Sequence, residues 1–156
     1  MTKLILASKS PRRLQLLNST NIIPDIVDPP NINENIIQKE KPKIYLKRIC
    51  LEKAKNIQKK YENDIILAAD TIVSTKQKIF LKPKDEKDAT KTLKYLSGRN
   101  HSVITGICVL FKDRKKIKII ETKIKFKKLH NNEIDQYIKT SQWVDKAGSY
   151  AIQGFA

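Results

Sequence analysis

The residues best suited to chemistry in this sequence begin in the segment SKSPRR, residues 8–13. Ser10 is a favourable N-cap residue and the proline after it suits the first helical position, so the segment predicts the start of a helix. The N–H groups at a helix start bind phosphate, and Arg12, Arg13 and Ser8 would add to that binding. A capped helix with two surface arginines fits the same spacing equally well.

One carboxylate interrupts an otherwise apolar stretch. Asp70 lies in IILAADTIV, residues 65–73, which predicts a central strand. An unpaired charge in a dry interior is costly, so this aspartate needs a partner or a task. Ligands of α/β sheets bind near strand ends, where an aspartate can hold a metal ion or accept a proton from water. The alternative is a turn residue, or a carboxylate satisfied by neighbouring backbone groups.

Three further polar residues have side chains that could bind phosphate or a base, although their spacing alone does not select them. Lys53, on a predicted helix, and Lys82, before a proline, can each neutralise a triphosphate, although a solvated side chain is the common state of any one lysine in so lysine-rich a chain. Gln153, in the tail KAGSYAIQG, carries an amide that donates and accepts hydrogen bonds, as base recognition requires. His101 and His130 lack a nucleophile partner, which argues against a Ser/His or Cys/His mechanism.

Apolar periodicity and turn residues predict the elements that position these groups. Strands are predicted over residues 4–7, 22–27, 65–73, 79–81, 100–111 and 117–126. Helices are predicted from Pro11 through Leu17 and over residues 43–59, 85–96 and 132–140. The remainder is a polar loop over 28–41, a charged turn over 112–116 and an irregular tail over 144–156. This mixture of hairpins and strand–helix alternation indicates an α/β layered fold.

The composition limits the class of protein. A length of 156 residues suits one domain, and the formal charge of +16 comes from 32 Lys+Arg against 16 Asp+Glu. Only five of these cations are Arg, the residue favoured for bidentate phosphate and base contacts, which disfavours a nucleic-acid surface. A basic nucleic-acid-binding protein nevertheless stays an alternative. No uncharged stretch reaches the ~20 apolar residues of a membrane span, and two cysteines without metal-ligand spacing suit a reducing cytoplasm.

Four strings, in order along essentially the whole chain, resemble the Maf family of nucleoside triphosphate pyrophosphatases. They are LILASKSPRR at 4–13, ADT at 69–71 with KP at 82–83, LSGRNHSVITG at 96–106, and DKAGSYAIQG at 145–154. The resemblance implies hydrolysis between the α and β phosphates, and the first and last strings resemble the branch acting on dTTP and UTP. It also implies a mixed, twisted central sheet with flanking helices, in two lobes with a cleft.

The resemblance implies roles for individual residues as well. Asp70 matches the catalytic base, and Glu34, with Asp70, matches the carboxylates that hold a divalent cation, Mg²⁺ or Mn²⁺. Positions tied to the choice of base are matched by Arg12, Thr71 and Gln153. Positions lining the phosphate site are matched by Ser8, Arg13, Lys53 and Lys82.

The sequence also departs from the family pattern. Ala151 stands where the family commonly has glycine. The resemblance implies a single Maf-like domain over residues 1–156 that lacks the family's usual C-terminal segment. A truncated, catalytically inactive relative that still binds nucleotide is therefore a second alternative. The family resemblance also implies a homodimer.

Overall fold

The computed structural model of the chain describes residues 1–76, 78–152 and 154. Its strands are β1 (Leu4–Ala7), β2 (Ile26–Val27), β3 (Ile65–Ser74), β4 (Ile79–Phe80), β5 (Asn100–Phe111) and β6 (Arg114–Lys125). Its helices are α1 (Pro11–Ser19), α2 (Pro42–Gln58), α3 (Glu86–Leu96) and α4 (Asn131–Lys139), followed by a 3₁₀ turn at Ala147–Ser149. Within these described residues, no helix has the length and apolar character needed to cross a bilayer.

The described strands form one mixed sheet in the order β2-β1-β3-β5-β6, with β4 paired to β3. β1 runs parallel to both β2 and β3, and its pairing with β3 extends from Leu4 opposite Ile65 to Ala7 opposite Ala68. β4 pairs with the end of β3 in the antiparallel direction. The predicted α/β class, with a mixed central sheet and flanking helices, is confirmed.

Two strand predictions needed correction, whereas the bounds of the other elements agree to within two residues. The strand predicted over 22–27 is paired only at Ile26 and Val27, because Pro24 has no N–H to donate to a ladder. The charged turn predicted over 112–116 is shorter than expected and comprises only Lys112 and Asp113, since β6 begins at Arg114. A strand at the edge of the sheet keeps its lysines solvated, so a run of positive charge does not prevent pairing on its other side.

The described chain divides into two compact units. Unit 1 comprises Met1–Asp70 and Thr105–Ile120. Unit 2 comprises Thr71–Ile104 and the described part of Glu121–Ala156. Each unit has its own apolar core, and the cores share no residue.

The core of unit 1 forms where α2 packs on the sheet. It includes Ile5 of β1, Ile66 of β3, Cys108 of β5 and Cys50 of α2, all fully buried. Gly106 of β5 permits the close approach, because a Cβ there would lie 2.9 Å from Cys50 Sγ. Burial raises the pKa of the Cys50 thiol to about 12, so this side chain packs as a small apolar group.

The core of unit 2 forms between α3, α4 and neighbouring strand residues. A buried aromatic group lies beside it, in which His101 Nε2 is 2.6 Å from Tyr150 Oη and Phe126 contacts both rings edge-on. Burial lowers the pKa of His101, so the neutral imidazole is favoured in this packing.

Candidate functional site

The segment after β1 turns two polar side chains toward each other. Ser8 is buried, and its Oγ accepts hydrogen bonds from the Ser10 N–H at 3.1 Å and from Arg13 Nη1 at 3.0 Å. Ser10 occupies the predicted N-cap position of α1, but its own side chain makes no capping hydrogen bond. The Ser8 hydroxyl thus holds the turn and one arm of the Arg13 guanidinium, so Arg13 is not a free surface arginine.

Asp70 lies in β3, two residues beyond the last position that pairs with β1. Its Oδ1 accepts a hydrogen bond from Arg13 Nη2 at 3.2 Å and lies 3.3 Å from Lys53 Nζ. The residue is only 6% exposed, so these cations offset the cost of burying its charge. The alternative of a turn residue is wrong, because Asp70 lies within a strand, and the partners of its carboxylate are side chains rather than backbone groups. Asp70 was expected at the end of its own strand, but β3 continues to Ser74. The strand that ends near Asp70 is the neighbouring β1, which stops at Ala7.

Lys53 is buried because α2 places it on its apolar face. Tyr45 and Ile49 precede it at intervals of four residues on the same helix, and both are fully buried. Lys53 is 5% exposed, and its Nζ lies 2.9 Å from Glu34 Oε2 as well as 3.3 Å from Asp70 Oδ1. The alternative of a solvated lysine is therefore wrong for this residue.

Arg13, Lys53, Glu34 and Asp70 form what we call the charged cluster, and their four formal charges balance. Glu34 joins it from the loop over residues 28–41, which has no helix or strand. Tyr45 and Arg48 of α2 hold this loop by hydrogen bonds to the carbonyl oxygens of residues 34 and 35.

Sequence reasoning missed the residues that hold the loop. Arg48 had a signal, because it is one of only five arginines in the chain and lies five positions before Lys53. Tyr45 had none beyond its place in an apolar pattern. Burial, followed by the negative charges of Asp70 and Glu34, raises the pKa of Tyr45, which keeps its hydroxyl protonated as a donor.

A family model described as Maf-like protein matches residues 3–156. The chain belongs to the Maf family. It is 44% identical over 154 residues to a dTTP/UTP pyrophosphatase of Caulobacter vibrioides, with 98% of this chain and 80% of that relative covered. It is 46% identical over 159 residues to a dTTP/UTP pyrophosphatase of Pyrococcus furiosus, with 99% of this chain and 80% of that relative covered.

A solved structure agrees with the Maf-like fold. The Ham1 protein of Staphylococcus aureus superimposes with a TM-score of 0.50 at 14% sequence identity, covering 78% of this chain and 69% of that protein. Similarity at this level concerns the α/β fold alone. The resemblance deduced from the four sequence strings is confirmed by the family match.

Four further site residues are predicted for this Maf-like chain: Arg12, Thr71, Lys82 and Gln153. Arg12 is half-buried in the first turn of α1, and Thr71 follows Asp70 in β3 as part of unit 2. Lys82, also in unit 2, forms an ion pair with Asp145. Gln153 lies outside the described residues. The assigned roles of these four residues remain predictions.

Glu34 and Asp70 are suitable ligands for a divalent cation. Across residues 1–76, 78–152 and 154, no group of three or more His, Cys, Asp or Glu gathers as a metal site. Two carboxylates nevertheless suit Mg²⁺, which commonly takes one or two protein carboxylates and completes its shell with phosphate oxygens and water. In this structure both carboxylates contact the ammonium group of Lys53. The two carboxylates therefore already face one positive charge, that of Lys53. Their oxygen atoms are also of the donor type that Mg²⁺ or Mn²⁺ prefers.

Proposed function

We propose that this chain hydrolyses dTTP and UTP, including modified pyrimidine nucleotides, to the nucleoside monophosphate and pyrophosphate. The observation that carries the proposal is the buried charged cluster, which gathers a carboxylate able to accept a proton and two cations able to bind phosphate. The Maf-family relatives supply the substrate class, since those compared above are dTTP/UTP pyrophosphatases.

Phosphate binding begins with cations that are already in place. Arg13 is held through both guanidinium arms, by Ser8 and by Asp70, so little side-chain entropy is lost when a phosphate oxygen replaces one contact. Lys53 is held in the same way between two carboxylates. Both cations offset the charge that develops on the leaving pyrophosphate. Lys82 is assigned to the same task.

Proton transfer is assigned to Asp70. A water oxygen attacks the α-phosphorus, and the bond from the α-phosphorus to the oxygen that bridges to the β-phosphate breaks. Pyrophosphate leaves with that oxygen, and a proton of the water passes to the Asp70 carboxylate. A Mg²⁺ or Mn²⁺ ion held by Glu34 and Asp70 would supply Lewis-acid polarisation of the phosphate and of the water. Arg12, Thr71 and Gln153 are assigned to the choice of base.

The test is a pyrophosphate-release assay over a panel of nucleotides with Mg²⁺ and with Mn²⁺. Release of pyrophosphate and monophosphate from dTTP and UTP, in preference to purine nucleotides, is the expected result. Release of inorganic phosphate alone would point to a different bond and contradict the proposal.

The same preparation separates the two alternatives. Nucleotide binding without turnover by a folded protein would establish the inactive Maf-like relative. Steeply salt-dependent DNA binding without nucleotide hydrolysis would establish the nucleic-acid-binding protein.

A further inference from the structure

The loop that carries Glu34 is held by two side chains from one helix. Tyr45 Oη donates a hydrogen bond to the Glu34 carbonyl oxygen at 2.9 Å. Arg48 Nη2 donates to the next carbonyl, that of Asn35, at 3.0 Å. Two consecutive peptide units are therefore fixed to α2, which also carries Lys53. The helix α2 therefore positions both the Glu34 backbone and the Lys53 ammonium group, which the Glu34 side chain contacts.

Both anchors are themselves held by further contacts. Tyr45 is fully buried, and the Arg48 guanidinium lies 5.5 Å from the centre of its ring. Arg48 makes two hydrogen bonds of 2.7 Å to the two carboxylate oxygens of Glu40. Glu40 Oε2 in turn accepts a hydrogen bond from the Ile37 N–H at 3.2 Å, which returns the network to the same loop.

The Glu34 side chain needs such support. It is 47% exposed on a segment without regular structure, so an unanchored Glu34 would sample many positions and its carboxylate would rarely face Lys53. We propose that Tyr45 and Arg48 are positioning residues that hold the Glu34 carboxylate ready to bind the divalent cation. The proposal rests on the proposed function, since it assigns Glu34 to that cation.

The decisive variant is Tyr45→Phe, which removes one hydroxyl and keeps the ring. The matched control is Tyr61→Phe, because Tyr61 Oη donates to Asp28 Oδ2 at 3.0 Å, at the start of the same loop rather than at Glu34. Mn²⁺ affinity is measured by calorimetry on the full chain, with and without a non-hydrolysable dTTP analogue. Hydrogen exchange over residues 31–40 reports the loop directly.

We expect Tyr45→Phe to weaken Mn²⁺ binding by about twofold to tenfold, the equilibrium effect of one hydrogen bond, and to speed exchange over 31–40. In turnover, the half-saturating Mn²⁺ concentration should rise by the same factor, while kcat at saturating Mn²⁺ stays within about twofold of wild type. Tyr61→Phe should change neither. A merely structural role would lower stability without moving the Mn²⁺ dependence, and unchanged Mn²⁺ affinity in Tyr45→Phe would overturn the proposal.

Two further variants keep the test specific. Arg48→Lys retains the charge but loses the planar fork, so it should weaken Mn²⁺ binding in the same direction. In a Glu34→Gln background, Tyr45→Phe should have no additional effect, because its route to the cation has been removed. An undiminished effect in that background would also refute positioning through Glu34. Absence of turnover in the wild type would defeat the proposed function, whereas the Mn²⁺ affinities would still decide the positioning role.

Discussion

Asp70→Asn tests the chemistry proposed for the carboxylate of the charged cluster. The amide keeps the size of the side chain and one acceptor oxygen for Arg13 and Lys53. It loses the negative charge and the ability to take a proton from water. If Asp70 is the general base, kcat should fall by roughly 10²–10⁴-fold.

The accompanying loss of stability follows from the two contacts on Asp70 Oδ1, at 3.2 Å to Arg13 and 3.3 Å to Lys53. Breaking a buried ion pair outright costs about 3–5 kcal/mol. The loss here should be smaller, about 1–3 kcal/mol, because the amide oxygen still accepts hydrogen bonds and Lys53 keeps Glu34 at 2.9 Å. A domain of this size loses about 2–4 °C in Tm per kcal/mol, so Tm should fall by roughly 2–12 °C.

The assay is pyrophosphate release from dTTP at saturating nucleotide and metal, at a temperature where thermal unfolding shows the variant to be folded. Asp28→Asn is the matched control, because Asp28 Oδ2 also has a lysine, Lys60, at 2.7 Å and a tyrosine hydroxyl, that of Tyr61, at 3.0 Å. This control should lose some stability and keep its turnover. Turnover of folded Asp70→Asn within tenfold of wild type would refute the assignment of the base, as would an equal rate loss in the control.

Two further predictions concern the supports of the site. Gly106→Ala should lower the free energy of unfolding by about 1–3 kcal/mol in denaturant titrations, because the new Cβ would lie 2.9 Å from Cys50 Sγ. Adding Cys50→Ala should recover part of that loss. An unchanged free energy of unfolding in Gly106→Ala would show that the two groups do not meet. Hydrogen bonds from Arg48 hold the pKa of Glu40 below its ordinary value of 4.5, so this pair stabilises the fold above that pH and its contribution is lost as the pH falls further. Glu40→Gln should therefore flatten the acid side of the profile of unfolding free energy against pH, and coincident profiles would contradict the coupling.

The candidate site was predictable where a local rule was broken, and unpredictable where it depends on contacts distant in sequence. Asp70 was identifiable because a carboxylate in an apolar strand demands partners. Lys53 was expected to be solvated like the other lysines, and only its burial among Ile49, Cys50 and Ala54 on the apolar face of α2 distinguishes it. Glu34 carried no signal, because a glutamate in an irregular loop is placed only by side chains remote in sequence.

The fold shows the same division. The bounds of β5 follow from an uninterrupted apolar stretch and match the prediction. The start of β6 does not, because the charge of residues 114–116 suggested a turn, whereas pairing with β5 decided the conformation. A prediction from sequence uses only the residues adjacent along the chain. Whether a residue joins a hairpin also depends on the residues that it pairs with on the neighbouring strand.

The electrical neutrality of the charged cluster has a consequence for the order in which its ligands arrive. Under the proposed function, a divalent ion approaching alone would meet Lys53 and Arg13, and a polyphosphate approaching alone would meet Glu34 and Asp70, so each would be partly repelled. When both bind together, the polyphosphate would neutralise Lys53 and Arg13, and the ion would neutralise Glu34 and Asp70. Thermodynamic reciprocity then requires that the ion tighten nucleotide binding by the same factor as the nucleotide tightens ion binding. Free inorganic anions, despite the strongly basic chain around them, gain little from such a neutral site.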